Sequence, residues 1–319
     1  MSARGSCLVL SLLGLMLWVT ASCKQGPPWE TYDTAGRKAY QEGNYAEAER
    51  QFSEAVKKAE QFGPLDSRLA TSLNNLGEVY RVQGKFLEAE PLFKRSLTIR
   101  EKVSGADHVD VAASLNNLAA LYYGQHKYAA AAPLYTRALE IMEKTHGPTH
   151  QNVAVSLNNL AGLYRAQGNY AEAEPLFRRA LAIWEKSLGP EHQYVAASLT
   201  NLGELNYAQG KFAEAAPLFQ RSLAIIEKVA GPDHAAVSAA LTNLAAAYYG
   251  QGKLTEVEPL LRRSIAIREK RLGPNHPELV ANLRDYADLL RKMKRADEAA
   301  AIDARVKDIE LKRSHQKLG

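Results

Sequence analysis

Apolar residues recur in this chain at two nested intervals. The short interval is helical. Leu115, Leu118, Ala119 and Tyr122 fall at i, i+3, i+4 and i+7, one face of an α-helix. After a break at Gln125-His126-Lys127, a second apolar face follows: Ala131, Leu134, Tyr135, Ala138, Leu139 and Met142. Small residues at Ala119 and Ala131 let two such helices approach closely, and Tyr122 and Tyr135 fill the space beside them. The long interval is 42 residues: S-L-N-N-L stands at Ser72–Leu76, Ser114–Leu118 and Ser156–Leu160. It returns as S-L-T-N-L at Ser198–Leu202 and A-L-T-N-L at Ala240–Leu244. A fixed period of this size means one helical unit stacked on copies of itself.

Alignment on the Leu of that string gives seven units, starting near Tyr32, Leu73, Leu115, Leu157, Leu199, Leu241 and Leu283. The first step is one residue shorter than the rest, which points to the loop around Gly63. Punctuation repeats with the units. Gly84, Gly168, Gly210 and Gly252 stand where a helix ends in a left-handed residue. His126 replaces that Gly, which predicts a strained turn. Five units carry Pro in the second helix, at Pro91, Pro133, Pro175, Pro217 and Pro259. Pro suits a first turn, and these lie slightly later, so a local bend or a late helix start is expected. The linkers read G-A-D-H at Gly105, then G-P-T-H, G-P-E-H, G-P-D-H and G-P-N-H at Gly147, Gly189, Gly231 and Gly273. Asp107, Thr149, Asp233 or Asn275 is placed to cap the following helix. Asp107 with Asp110, and Asn275 with Glu278, have capping-box spacing. Each first helix is then expected to begin near the His and run about four turns.

A 42-residue period also suits HEAT units, armadillo units or propeller blades. Propellers need alternating strands, and none are written here. Leu118-Ala119, Tyr122, Tyr128, Ala131, Tyr135 and Ala138 match the tetratricopeptide pattern in order and spacing. With the string L-N-N-L-A-x-L-Y, the chain resembles the tetratricopeptide repeats of the kinesin light chain family, including its bacterial relatives. The resemblance spans about residues 32–310 and implies an all-α solenoid of seven stacked antiparallel helix pairs in a right-handed superhelix. The heptad coiled coil of motor-associated light chains is missing, so motor transport is not implied.

The N-terminus is written differently. Arg4 precedes an apolar run from Cys7 to Val19, too short for a comfortable membrane span, and small residues follow. This reads as a secretory signal over residues 1–22. Val19-Thr20-Ala21 fits simple cleavage; Thr20-Ala21-Ser22-Cys23 resembles a bacterial lipobox with Thr20 in place of the usual Leu. The only cysteines are Cys7 and Cys23, so an exported chain would have no disulfide framework. A lone Cys at the cleavage point favours acylation of Cys23, with 23–31 as a lipidated tether and 311–319 as a basic tail. The expected location is the bacterial envelope, lipid-anchored; a soluble periplasmic or secreted protein is the alternative. Composition, 46% hydrophobic and 24% charged, argues against disorder. The net charge of +5 is spread over all repeats and makes no case for nucleic acid.

In tetratricopeptide proteins the first helices line the concave face, and the resemblance implies that an Asn there bonds the backbone of an extended peptide. The matching residues are Asn75, Asn117, Asn159, Asn201 and Asn243. A carboxamide both donates and accepts, so it can hold a peptide unit without reading its side chain. The alternative is that these residues tie one repeat to the next. Thr34 and Asp285 interrupt the ladder at its ends. Six residues further stand Arg81, Tyr123, Arg165, Tyr207 and Tyr249, types enriched at binding hot spots. Two rows of small residues, Ala120, Gly162 and Ala246, and Gly124, Ala166, Ala208 and Gly250, predict an open channel beside them.

His108, His150, His192, His234 and His276 recur one per repeat, too far apart to converge on one ion. Packing or bonding at the helix start is the expected role. No metal, cofactor or catalytic residue is predicted: the sequence carries no G-x-S-x-G, phosphate loop or H-E-x-x-H. The E-A-E and E-K carboxylates of the second helices read as solvated faces. The expected function is a non-enzymatic scaffold binding a protein or extended peptide in its concave groove. The alternative is an assembly protein acting through its convex surface or self-association.

Overall fold

The structure is a computed structural model and describes residues 27–316. Among these, fourteen helices follow one another in pairs, with no strand. They are α1 (Trp29–Gln41), α2 (Tyr45–Glu60), α3 (Ser67–Val82) and α4 (Phe86–Ser104). Then come α5 (Val109–Gly124), α6 (Tyr128–His146), α7 (Gln151–Ala166), α8 (Tyr170–Leu188) and α9 (Gln193–Ala208). The last five are α10 (Phe212–Ala230), α11 (Ala235–Gly250), α12 (Leu254–Leu272), α13 (Leu279–Lys292) and α14 (Ala296–Gln316). The seven pairs are those read from the period. α1 starts three residues before the expected Tyr32, and α14 continues beyond 310. The signal and Cys23 lie outside the described residues. The short first step comes from α2, which has 16 residues where the next five second helices have 19, partly offset by a longer loop through Gly63.

The chain divides into two compact units, one through Val103 and one from Ser104. In the first, the ring of Phe52 lies against Gly36 and that of Phe93 against Gly77. Trp29 donates its indole N–H to Ser72 Oγ at 2.7 Å. In the second, each pair repeats one core. Leu115, Leu157, Leu199 and Leu241 are buried, as are Ala131, Ala173 and Ala215. Phe177 is fully buried among Ala161, Ala173, Leu202 and Leu205. Complete burial of a side chain of this size contributes about 1.5–3 kcal/mol.

The caps differ from the expectation. His108, His150, His192 and His234 are the N-cap residues, each accepting at Nδ1 from the backbone N–H two residues on, at 3.1–3.2 Å. His276 does the same to Glu278 N at 3.3 Å, although α13 starts later, at Leu279. The helix begins one residue after the His, so the ring nitrogen takes the place expected of the preceding acid. Asp107 and Asp233 turn instead to Lys144 and Lys270. An accepting Nδ1 leaves the ring proton on Nε2. Replacing His192 by Ala is expected to cost about 0.5–2 kcal/mol, and Asn to recover most of it, in urea melts followed by circular dichroism. Equal losses for Ala and Asn would show that the cap contributes nothing.

The prolines do not delay the second helices. Pro91 lies five residues inside α4, and Pro133, Pro175, Pro217 and Pro259 lie inside their helices likewise. Each is exposed, as is the residue four places before it, so the carbonyl that loses its partner faces water. His126 adopts φ +57°, as the missing Gly predicted, and Lys294 adopts φ +60° at the matching turn of the last pair.

The carboxylates of the second helices are not merely solvated. Arg179 pairs with Glu143 at 2.6 Å, Arg221 with Glu185 at 2.7 Å and Arg305 with Glu269 at 2.5 Å. Arg263 and Glu227 make the same contact. Arg179 and Arg305 also donate to the carbonyls of Pro148 and Pro274 in the linkers, at 2.8 and 2.7 Å. One exposed pair is worth little. Within the second unit the pair recurs between successive second helices, and at Arg179, Arg263 and Arg305 a linker carbonyl is held in the same grip, which sets how those helices sit.

Candidate functional site

Within the second unit, α5 touches α7, α7 touches α9 and α9 touches α11 directly. Second helices do not reach their counterparts to that extent. The first helices are therefore the closer-spaced row and line the inner side of the curve. Their inner residues are the Asn ladder and the positions three, six and seven residues beyond it.

The ten predicted residues divide. Asn75 and Arg81 belong to the first unit, the other eight to the second. In the first unit Asn75 donates Nδ2–H to Asp33 Oδ1 at 3.0 Å. It lines a hollow with Arg37, Tyr40, Asn74 and Glu78. Arg81 holds Glu78 through two hydrogen bonds of 2.6 and 2.7 Å, and Tyr40 donates to the same carboxylate at 3.1 Å. Burial, and then the Glu78 charge, push the Tyr40 hydroxyl up to about 12.

In the second unit, Tyr123, Asn159, Arg165 and Asn201 meet in one hollow of about 200 Å³, with Tyr135, Asn158 and Gly162. Asn201 donates Nδ2–H to Asn158 Oδ1 at 2.7 Å, bridging α9 to α7. Arg165 is bound by Glu204 of the next unit. A Cβ placed on Gly162 would touch nothing within 4 Å, so this part of the small-residue row is open. The inter-repeat reading of the Asn ladder holds at two of its positions. Asn75 and Asn201 tie neighbouring first helices together, and each such bond uses one of a carboxamide's four hydrogen-bonding positions. Asn117 and Asn243 are half-buried on the same face.

Tyr207 and Tyr249 line a second hollow of about 360 Å³ between α9, α11, α12 and α13. Its wall includes Thr242, Ala245, Ala246, Val257, Leu261, Asp285 and Asp288. Tyr207 stacks edge-on to Phe212, centroids 5.2 Å apart, and Lys292 Nζ lies 4.1 Å from the Tyr249 ring centroid. Gly250 is not part of an open channel: a Cβ there would fall 2.5 Å from the Phe212 ring, so this Gly makes room for an aromatic side chain.

Sequence reasoning missed Asn158, Glu204, Asp285 and Asp288. The doubled Asn of the repeat string was a signal for the first. Asp285 interrupts the Asn series, yet it stands at the ladder position and lines the larger hollow. The surrounding protein, and then the Asp288 charge, hold its carboxyl above the usual range. Its ionised form is thus disfavoured by the fold. The stability it contributes is complete below its unfolded pKa and is lost as pH rises through the folded one. Asp285→Asn is expected to match the parent chain near pH 3 and to melt at a higher temperature at pH 7. A lower Tm at pH 7 would contradict this.

Among the described residues no group of three or more His, Cys, Asp or Glu converges as a metal site requires. No described helix is long and apolar enough to cross a membrane.

The family model for the Tetratricopeptide repeat matches residues 68–144, 111–182, 152–228, 207–270 and 237–309. No curated protein matches the chain. Among solved structures, a putative kinesin light chain with nearly identical TPR-like repeats from Podosopora anserina is 31% identical. The match covers 64% of this chain and 96% of that one, with a TM-score of 0.57. BtubC (BKLC) from P. vanneervenii is 23% identical over 77% of this chain and 91% of its own, with a TM-score of 0.60. A Rap protein complexed with Competence and Sporulation Factor is 19% identical over 90% and 76%, also with a TM-score of 0.60. The last two likenesses concern the fold alone.

Proposed function

Because this chain belongs to the tetratricopeptide repeat family, we propose that it is a non-enzymatic scaffold holding an extended segment of a partner protein along its first-helix face. The observation that carries the reading is the hollow around Gly162. Open space there is bordered by the carboxamides of Asn158, Asn159 and Asn201, the Arg165 guanidinium and the Tyr123 ring. Carboxamides satisfy a peptide backbone in both directions, and an aromatic ring and an arginine supply the contacts that dominate binding energy. The Rap protein of similar fold, complexed with Competence and Sporulation Factor, supports a binding role for such a solenoid. Its identity to this chain is too low to carry residues across.

A photo-crosslinking residue at Ala166, beside this hollow, is expected to trap the partner in the native host. One at Pro175, exposed on α8, is expected not to. The triple change Asn117→Ala, Asn159→Ala and Arg165→Ala should abolish the Ala166 cross-link and leave the helical circular dichroism unchanged. The competing reading is assembly through the second helices, where Leu87, Val103 and Val229 are exposed. Cross-links confined to Pro175 and joining two copies of the chain would select it.

The proposed location is the bacterial envelope, with Cys23 acylated. The support is the apolar run after Arg4 and the absence of any other cysteine near or beyond the cleavage point. Cys23→Ser is expected to release the protein from membranes; continued attachment would rule out the lipobox reading and leave an uncleaved leader.

A further inference from the structure

We propose that the hollow between α9, α11, α12 and α13 receives one basic side chain, lysine or arginine, of the segment held along the first-helix face. This rests on the groove reading above and adds the chemistry of one position in the ligand. The wall supplies what a cation on an alkyl stem needs. Ala245, Ala246, Val257 and Leu261 line the hollow with apolar surface for the stem. Tyr207 and Tyr249 add aromatic rings to the wall, and Asp285 and Asp288 add carboxylates.

Two contacts show the preference at work. Lys292 Nζ lies 4.1 Å from the Tyr249 centroid, so this ring already attracts an ammonium group. Asp288 is engaged by Arg291, whose guanidinium also holds Asp303. Asp285 is in a different position. Its surroundings and the neighbouring Asp288 act on it in the same direction, against ionisation. A cation entering the hollow would relieve both effects together. An acidic ligand group would add a third negative charge, and a purely apolar one would leave Asp285 desolvated without compensation. A divalent ion would require six or more oxygen ligands, or several retained waters, and no third acidic or His residue converges here.

The place in the repeat gives the idea a register. Asp285 lies 42 residues after Asn243, at the position where the preceding units present a carboxamide. A segment whose backbone is held along α7 and α9 therefore meets, two units on, a carboxylate that reads a side chain.

The test is selection of a phage-displayed library of random 12-residue peptides on the full chain, in parallel with its Asp285→Asn variant. Helical circular dichroism confirms that the variant folds. The parent chain is expected to enrich peptides sharing Lys or Arg at one position. Changing that residue to Ala in a selected peptide should weaken binding about tenfold, the sum of a modest ion pair and a cation–π contact. Asp285→Asn, which removes the ion pair and leaves the rings, should weaken the basic peptide about three- to fivefold and leave its Ala version unchanged. Selected peptides without a shared basic position, or equal weakening of both peptides by Asp285→Asn, overturn the inference and leave the groove reading standing. Selection of no peptide at all overturns both.

Discussion

Replacing Phe177 by Ala is expected to lower the unfolding free energy by about 3–5 kcal/mol. The ring is fully buried where α7, α8 and α9 meet, against Ala161, Ala173, Leu202 and Leu205. Three of its neighbours come from other helices of the stack, and two of those neighbours are leucines of the next pair. Truncation therefore removes contact within one repeat and across one interface. A solenoid has no single core to share the loss, since each repeat touches only its neighbours. The deficit should concentrate in the fourth and fifth pairs and split the urea transition, with an early step reported by Trp184 fluorescence. Trp184 is suited to this because it is buried in the same pair and stacks on Tyr194, centroids 5.4 Å apart. A single transition carrying the full loss would mean that the repeats are coupled more tightly than nearest-neighbour contact allows, and a loss below about 1 kcal/mol would contradict the packing argument.

The second large effect is a pair of identical substitutions with opposite signs. Gly162→Ala and Gly203→Ala both place a methyl group on a first helix, and both gain about 1 kcal/mol of helix propensity. At Gly162 the methyl meets open space, so the gain stands. At Gly203 it falls 2.5 Å from the Phe219 ring, which is buried and cannot withdraw. Overpacking of this kind costs about 1–3 kcal/mol, so Gly203→Ala is expected to destabilise. Gly77→Ala is intermediate, with 3.0 Å to the Phe93 ring, and should be nearly neutral. Thermal melts of the three variants decide the matter. Equal stability changes in all three would refute the packing account, while a destabilised Gly162→Ala would show that the space beside it is not open. That second outcome would also remove the main support for the proposed groove.

These glycines show where sequence reading stopped. Gly162 and Gly203 both stand on first helices, both among alternating small and apolar residues. Gly162 and Gly250 were both assigned to an open channel. One faces empty space, and the other faces Phe212, a residue of the preceding second helix. Nothing within a turn or two of either residue distinguishes them. The difference depends on where the facing helix places an aromatic ring.

The candidate site was legible in the same uneven way. The Asn ladder and the Tyr/Arg positions lie on the inner helices, as the resemblance to tetratricopeptide repeats implied. Their bonding partners were not legible. Asn201 meets Asn158, Arg165 meets Glu204 and Asn75 meets Asp33, each pair about one repeat apart in sequence. Such partners are chosen by the stacking offset between repeats, which no local pattern encodes. The His residues illustrate a smaller shift. One residue in the helix start decided whether Asp107 or His108 caps α5, and boundaries of that precision are the least determined by pattern.

By itself the sequence determined the repeat, the seven helix pairs, the turns that end each first helix and the faces those helices bury. All of these are local: they follow from 3.6-residue periodicity, from the left-handed tolerance of Gly and from recurrence at a fixed interval. The tertiary structure alone decided which small residues are open and which are covered, which Arg and Glu clasp successive second helices, and that Asp285, itself exposed, ends the ladder on the wall of a hollow shared with Tyr207 and Tyr249. Those outcomes depend on contacts between side chains one helix or one repeat apart. Such contacts are set by close packing, where a shift of one methyl group changes the answer.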